Sequence, residues 1–329
     1  MLAVIPEQTR LVNIAAMGFY IDGKDVPKIR FDQFFKHCRN DRRRIWHARR
    51  NIDMLAGLIL KFVFRFKLIL IFTSAAQRHH TGITRFYCRH MEEIISPTSA
   101  AAAYLTRQAC VVPHGVDPAR FFPPENRALE WAERTLSGKH GIGIFGRIRP
   151  NKGTREFVEA AIQTLKSRPE WTAVIIGETT PEHIPFEREL RSLIKKAHLE
   201  DRILFMGFQK NPDAIPHWLR ALSIVACASH KEGFGLPCLE AMASGCAVIA
   251  THTGAWPEII QDDKNGLLIP IKNSGALAEA FAMLMDNPEQ RESMGLEARR
   301  AILNNYRIKN EAEGIQAVYE KIFNRYRVI

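Results

Sequence analysis

From residue 140 onward, short apolar and β-branched runs alternate with longer stretches in which apolar positions recur every three or four residues. The short runs predict strands at Ile142–Phe145, Ala173–Ile176, Ile203–Met206, Ile224–Ala226, Ala247–Ala250 and Leu267–Ile269. The longer ones predict helices at Thr154–Ser167, Pro185–Ala197, Ala214–Arg220, Pro237–Ala243 and Ser274–Met285. Strands that are apolar throughout are buried on both faces, and a parallel sheet covered by helices on each side provides that burial. The second half therefore reads as an α/β, Rossmann-like domain.

The first half is less regular. Ile45–Trp46, Lys67–Phe72 and Ile94–Ser96 read as strand ends, and Asp53–Phe64 and Ala100–Ala103 as helix. The most apolar stretch, Leu55–Phe72, contains Lys61, Arg65 and Lys67, and it is short for a membrane span. It reads as a buried helix and a strand, with the cations at solvated element ends. Phe121-Phe122-Pro123-Pro124 interrupts both kinds of pattern, because two prolines continue neither a helix nor a central strand. The hinge is placed at Pro113–Pro124, and Asn310–Tyr326 reads as one closing helix. The expected organisation is an N-terminal domain over 1–117, a C-terminal domain over 118–309, and a helix over 310–329 that packs back on the N-terminal domain.

Charge separates the halves. Residues 1–120 hold 19 Lys/Arg against 9 Asp/Glu, while residues 121–329 hold 27 against 26. A basic half calls for an anionic partner such as a phospholipid surface, a phosphorylated acceptor or nucleic acid. Nucleic acid is the weakest of these, since Arg42-Arg43-Arg44-Ile45-Trp46 is the main basic-aromatic run and no nucleic-acid motif occurs. Six scattered cysteines without a C-x-x-C pair argue against a disulfide framework or a zinc site and fit a reducing compartment. Met1–Arg10 has no secretory pattern.

Two segments carry chemistry. The first is Ser229-His230-Lys231-Glu232-Gly233-Phe234-Gly235-Leu236-Pro237-Cys238-Leu239-Glu240, which follows a strand and opens a helix. Pro237 suits the first helical position, and Gly233 and Gly235 allow positive φ and close approach of backbone to a ligand. Exposed backbone N–H groups at a helix N-terminus make an anion site. Glu232 precedes the loop and Glu240 falls in the first helical turn, and a carboxylate there accepts two hydrogen bonds from a vicinal diol. The plainer reading of Glu240 is a complement to the helix dipole.

The second segment is Gly146-Arg147-Ile148-Arg149-Pro150-Asn151-Lys152-Gly153, again between strand and helix. Arg147 and Lys152 flank a turn at the carboxyl end of a strand, where open α/β sheets bind ligands. Two cations there match a diphosphate leaving group. A solvated basic loop is the plainer alternative.

With these residues in place, the chain resembles the retaining glycosyltransferases of family 4, which have the GT-B fold of two facing Rossmann-like domains. The matching residues are Gly146-Arg147 with Lys152, Glu232 and Glu240 around Gly233-Phe234-Gly235-Leu236-Pro237, and His114-Gly115-Val116-Asp117 with Phe121. The resemblance covers about Val111–Ile329. It implies a nucleotide-sugar donor whose diphosphate is held by Arg147 and Lys152, whose ribose is held by Glu240, and whose transferred sugar is held by Glu232. Backbone groups of Gly233–Gly235, with Gly146, Phe234 and Leu236 nearby, complete the donor site.

In the first half, Trp46-His47-Ala48-Arg49-Arg50-Asn51 and Phe72-Thr73-Ser74-Ala75-Ala76-Gln77-Arg78-His79-His80-Thr81 resemble the alpha-proteobacterial lipopolysaccharide-core mannosyltransferases. That resemblance implies GDP-mannose as donor and an anionic lipid A–Kdo core as acceptor. It also implies a cytoplasmic enzyme in peripheral contact with the inner membrane face. Arg49, Arg50, Arg78 and His79 are the acceptor-side candidates, each with an ordinary solvated residue as its alternative. No D-x-D triplet occurs, and Arg147, Lys152 and a helix N-terminus supply positive potential, so neither a metal nor another cofactor is expected.

One departure stands out. Family members open with a strand and a glycine-containing loop, which Met1-Leu2-Ala3-Val4-Ile5-Pro6 does not match. The first domain is therefore expected to be short, through a late start or a truncation. The alternative function is a nucleotide-sugar-binding protein that does not complete transfer. A GT-B epimerase or phosphorylase fits the glutamate motif less well.

Overall fold

A computed structural model describes residues 2–18, 25–39 and 42–326. The chain divides into two compact units, 1–115 with 306–329, and 116–305. The division falls between Gly115 and Val116, inside Pro113–Pro124 and two residues before the expected boundary.

Unit 1 runs α1 (Ile5–Thr9), α2 (Phe31–Cys38), β1 (Arg44–Ala48), α3 (Asn51–Phe62), β2 (Leu68–Thr73), α4 (Gly82–Arg89), β3 (Glu93–Ser96), α5 (Ser99–Ala102) and β4 (Cys110–Val111). The four strands form a parallel sheet in the order β1-β2-β3-β4. The strand ends read from sequence are thus full strands, and the two-residue β4 carried no visible pattern. Alternation along β2 assigns the two sheet faces. Leu68, Leu70 and Phe72 pack with Met54 and Leu58 of α3 and Phe34 of α2, while Ile69 and Ile71 join the opposite cluster.

Helix α3 begins two residues earlier than the pattern suggested and ends at Phe62, leaving Val63 and Phe64 beyond it. Lys61 is not a solvated end: it is half-buried in an ion pair with Glu92, whose other carboxylate oxygen accepts from the Leu70 N–H at 2.6 Å. Trp46 is likewise no exposed basic-aromatic site. Its ring packs edge-on against Phe34, and its indole N–H donates to the Asp53 carbonyl at 2.8 Å.

Unit 2 runs α6 (Arg127–Ala132), β5 (His140–Phe145), α7 (Thr154–Leu165), β6 (Trp171–Ile176), α8 (Ile184–Lys196), β7 (Ile203–Gly207), α9 (Ala214–Ala221) and β8 (Leu222–Cys227). It continues with α10 (Leu236–Ala243), β9 (Ala247–Thr251), α11 (Trp256–Ile259), β10 (Leu267–Ile269), α12 (Ser274–Asp286) and α13 (Pro288–Asn305). Six parallel strands follow the order β10-β9-β8-β5-β6-β7. The order reverses between β5 and β8, so their carboxyl ends flank the crevice where doubly wound sheets take ligands.

Phe157, Val158 and Ala161 of α7 pack with Phe281 and Leu284 of α12 over Ile142, Ala173 and Ile224 of the sheet. Arg127 fastens the crossover. Its guanidinium donates to the carbonyls of Leu219, Arg220, Ser244 and Gly245 at 2.9 to 3.0 Å, and more closely to that of Leu222. The chain then returns to unit 1 as α14 (Ile308–Tyr326). There Ile315, Tyr319 and Ile322 cover Ile69, Ile71 and Ile95. Among the described residues, no helix is long and apolar enough to cross a membrane.

Candidate active site

The two sequence-predicted loops leave the strands at the switch point. After β5, Gly146 turns with φ +134°, Arg147 is exposed, and Pro150–Lys152 form a single 3-10 turn ending at Gly153. Gly153 has φ +74°, and a Cβ on it would collide with the carbonyl oxygen of Ala228, just beyond β8. Only glycine lets the first loop lie this close to the second. The contact is reinforced by the His230 N–H, which donates to the Asn151 carbonyl at 3.0 Å.

The approach brings Lys152 to Glu232. Lys152 Nζ lies 2.5 Å from Glu232 Oε2, with both side chains half-buried. The same oxygen accepts from Ser229 Oγ at 3.2 Å, and Glu232 Oε1 accepts from the Gly233 N–H at 3.1 Å. Glu232 is therefore oriented by donors from its own loop as well as by the lysine. Withdrawal of Lys152 toward another anion would leave the carboxylate still held. No hydrogen bond or ion pair engages Arg147 among the described residues, so its guanidinium is available to a ligand.

Gly235 caps α10 at φ +88°, with the Trp256 ring where a Cβ would project. Phe234 is buried and Leu236 opens the helix. Glu240 corrects the sequence reading: it is the fifth residue of α10, a turn beyond the helix start, and no acidic residue occupies the first turn. Pro237 is the second helical residue, not the first. Nor does the Glu240 environment favour its charge. Burial pushes its carboxyl up to about 6, with Arg120 pulling the other way. A dipole complement is stabilised as the anion, and this environment disfavours the anion.

Sequence reasoning did not single out Glu156 and His230 as partners. His230 Nε2 and Glu156 Oε1 are 2.8 Å apart, tying the first turn of α7 to the residue two before Glu232. A hydrogen bond with Cys238, then burial, hold the Cys227 thiol well above its ordinary range, which disfavours the nucleophilic thiolate there. Among the described residues, no cluster of three His, Cys, Asp or Glu is placed to hold a metal ion.

In unit 1 the four acceptor-side candidates lie on loops at the carboxyl ends of neighbouring strands, Arg49 and Arg50 after β1, Arg78 and His79 after β2. Arg50 is engaged with Asp53, Nη2 to Oδ1 3.3 Å, at the start of α3. Arg78 is exposed, and the exposed His79 ring meets Tyr104 edge-on at 5.2 Å. Beneath them His47 joins Tyr319 Oη through Nδ1 and Thr73 Oγ1 through Nε2, both at 2.6 Å. Burial, then Arg49, pull the His47 pKa down to about 3, so the ring is neutral.

Comparison with known proteins now decides the family. The model of "Glycosyl transferases group 1" matches residues 128–301, more than half the chain. The chain belongs to the group 1 glycosyltransferases. It is 40% identical over 328 residues to the lipopolysaccharide core biosynthesis mannosyltransferase LpcC of Rhizobium leguminosarum bv. viciae, covering 98% of this chain and 92% of that protein. The crystal structure of the C-terminal domain of LpcC from Francisella tularensis is 53% identical, with TM-score 0.58, over 59% of this chain and all of that one. A glycosyltransferase structure from Rickettsia africae, 17% identical, aligns with TM-score 0.81 over 98% of this chain and 94% of its own. That last likeness speaks for the fold alone. This glycosyltransferase thus has the GT-B architecture, with a Rossmann-like unit in each half.

Proposed function

We propose that this glycosyltransferase moves mannose from GDP-mannose to the lipopolysaccharide core with retention of configuration, needs no metal, and works in the cytoplasm in peripheral contact with the membrane. The observation that carries a donor site at the β5–β8 switch point is the Lys152–Glu232 pair beside the N-terminus of α10. The sugar and the acceptor are supported by the activity named for the LpcC relative across nearly the whole chain.

In this reading Arg147 and Lys152 take the donor diphosphate, and Lys152 exchanges the Glu232 carboxylate for phosphate oxygens. Glu232, still held by Ser229 and Gly233, accepts from hydroxyls of the transferred sugar. Glu240 accepts from the ribose diol, and the backbone of Gly146 and Gly233–Gly235, with Phe234 and Leu236 as walls, shapes the pocket. As the glycosidic bond breaks, its electron pair goes to the diphosphate oxygen, where the two cations and the helix N-terminus stabilise the new charge. The acceptor hydroxyl attacks the oxocarbenium-like centre from the same face and passes its proton to the leaving diphosphate. Arg49, Arg50, Arg78 and His79 hold the anionic acceptor in position.

The test is transfer from radiolabelled GDP-mannose to purified lipid A–Kdo, with UDP-sugars in parallel, with and without EDTA, and with NMR assignment of the product anomer. An α-mannoside formed at an undiminished rate in EDTA is expected. Turnover from a UDP-sugar alone would reassign the donor, a β-linked product would overturn retention, and loss in EDTA would overturn metal independence.

A further inference from the structure

The donors that orient Glu232 move with it. Ser229 Oγ and the Gly233 N–H belong to the same loop as the carboxylate. They set its direction within the loop, not the place of the loop itself. Lys152 does fix that place, by reaching across from the other loop, but in the proposed mechanism it leaves for the donor diphosphate. Asn151, whose carbonyl accepts from the His230 N–H, is the neighbour of Lys152 in the short turn Pro150–Lys152. It shares that turn with the lysine and so offers no independent hold.

Glu156 stands on firmer ground. It lies in the first turn of α7, next to Phe157 and Val158, both fully buried in the core of unit 2. Its Oε1 is 2.8 Å from Nε2 of His230, two residues before Glu232. The bond runs from a loop to a helix whose side chains are locked in a close-packed interior. From the other side Thr251 Oγ1, at the end of β9, donates to the Ser229 carbonyl at 2.6 Å. The loop is thus pinned at Ser229 and His230, immediately before Glu232. Glu156 Oε2 is buried and accepts from no donor among the described residues. A buried acceptor without a donor costs stability, which weighs against a purely structural part for this carboxylate.

We propose that Glu156 and His230 are positioning residues, an anchor that keeps Glu232 against the transferred sugar while the donor diphosphate draws Lys152 away. They act through Glu232 and not on the donor. Without the pair, Glu232 keeps the hydrogen bonds of its own loop, but the loop loses its register with α7 and presents the carboxylate out of place. A displacement of about 1 Å is enough to lose much of what a positioned group contributes. The inference rests on the proposed donor site, in which the two cations take the diphosphate and Glu232 accepts from the sugar. That division supplies the test, because a nucleoside diphosphate alone engages the cations and Glu240, and only the nucleotide-sugar adds Glu232.

The experiment is calorimetric titration of the full chain with GDP and with GDP-mannose, read as the ratio of the GDP-mannose Kd to the GDP Kd. Glu156→Ala is expected to raise that ratio about fivefold while leaving GDP affinity within about twofold of wild type. Glu232→Gln should raise it comparably, and adding Glu156→Ala to Glu232→Gln should raise it no further, since the one acts through the other. Glu156→Gln, which keeps an amide oxygen for the Nε2–H, should restore the wild-type ratio. His230→Ala breaks the same bond from the loop side, keeps the backbone bond to Asn151, and should match Glu156→Ala; it decides the matter if Glu156→Ala melts early. An unchanged ratio in Glu156→Ala, an equal weakening of GDP and GDP-mannose, or additive effects with Glu232→Gln would overturn the proposal and leave the donor site standing. If Glu232→Gln itself leaves the ratio unchanged, the assignment of Glu232 to the sugar fails and the anchor falls with it. If UDP and UDP-glucose bind in place of the guanosine pair, the GDP-mannose reading alone is overturned, and the same ratio taken with that pair decides the anchor.

Discussion

Glu240→Gln sets the cost of burying this carboxyl against the ribose contact proposed for it. Burial raises the carboxyl from its ordinary 4.5 to about 6, against the opposing pull of Arg120. The folded protein therefore binds a proton at Glu240 more tightly than the unfolded chain does. Between pH 4.5 and 6 the native state holds the extra proton, so stability falls as pH rises through that window. The rise corresponds to about 2 kcal/mol, fully present below pH 4.5 and lost above pH 6. At pH 8 wild-type Glu240 is an anion held at that cost, and glutamine has no charge to desolvate.

Urea unfolding at pH 8 should show Glu240→Gln more stable by up to about 2 kcal/mol, and at pH 4.5 the two proteins should coincide. The function should move the other way. A carboxylate accepting from two ribose hydroxyls makes charge-assisted bonds that an amide cannot reproduce, so donor affinity should fall by about 2 kcal/mol, or some thirtyfold. Donor affinity of the wild type should also tighten as pH rises through 6, because the ligand needs the anion. A variant no more stable than wild type at pH 8, or a gain that is the same at every pH, would refute the burial argument. A stabilised variant that binds donor normally would refute only the ribose assignment.

Three further outcomes follow from the same geometry. Lys152→Ala should lower kcat by about two to three orders of magnitude, the usual effect of removing one group that stabilises developing charge; an unchanged kcat would remove Lys152 from the chemistry. Gly153→Ala should destabilise unit 2 by about 2 kcal/mol or more, because a positive φ and a collision with the Ala228 carbonyl coincide there, and thermal unfolding would expose a harmless substitution at once. His47, neutral in the fold with a pKa of about 3, favours the native state above its unfolded pKa near 6.5. That stability should drain by up to about 1.4 kcal/mol per pH unit as pH falls from there toward 3. His47→Gln should flatten the acid limb of the stability curve, and an unaltered limb would mean that other groups set it.

Legibility from sequence followed a physical divide. In unit 2 the central strands were readable because burial on both faces leaves mostly apolar runs, as in Trp171–Ile176, where every residue is buried. The geometry of the two loops was partly readable because close approach of backbone restricts residue type: glycine stands at 153 and 235, where φ is positive and a Cβ would collide. Helix α13 escaped notice because its buried stripe is built from Arg291, Met294, Gly295, Ala298 and Ile302, which carry little apolar signal. Gly295 is small because the Gly245 carbonyl lies against it, and Arg291 is buried because it donates to the Leu284 carbonyl at 2.7 Å. Both facts exist only once α13 is in place.

The same holds for Glu156 and His230, 74 residues apart and joined only because β5 and β8 are neighbours. Unit 1 was obscured in the opposite way. His47 interrupts β1, where Tyr319 and Thr73 satisfy it. The long apolar stretch from Leu55 hid the fact that α3 has a second apolar face with no part of the described chain upon it. Periodicity reports that a position is apolar, and packing alone reports whether anything covers it. That is why the loops after β5 and β8 stood out in the sequence, while the exposed apolar face of α3, built from equally conspicuous residues, could be found only in the fold.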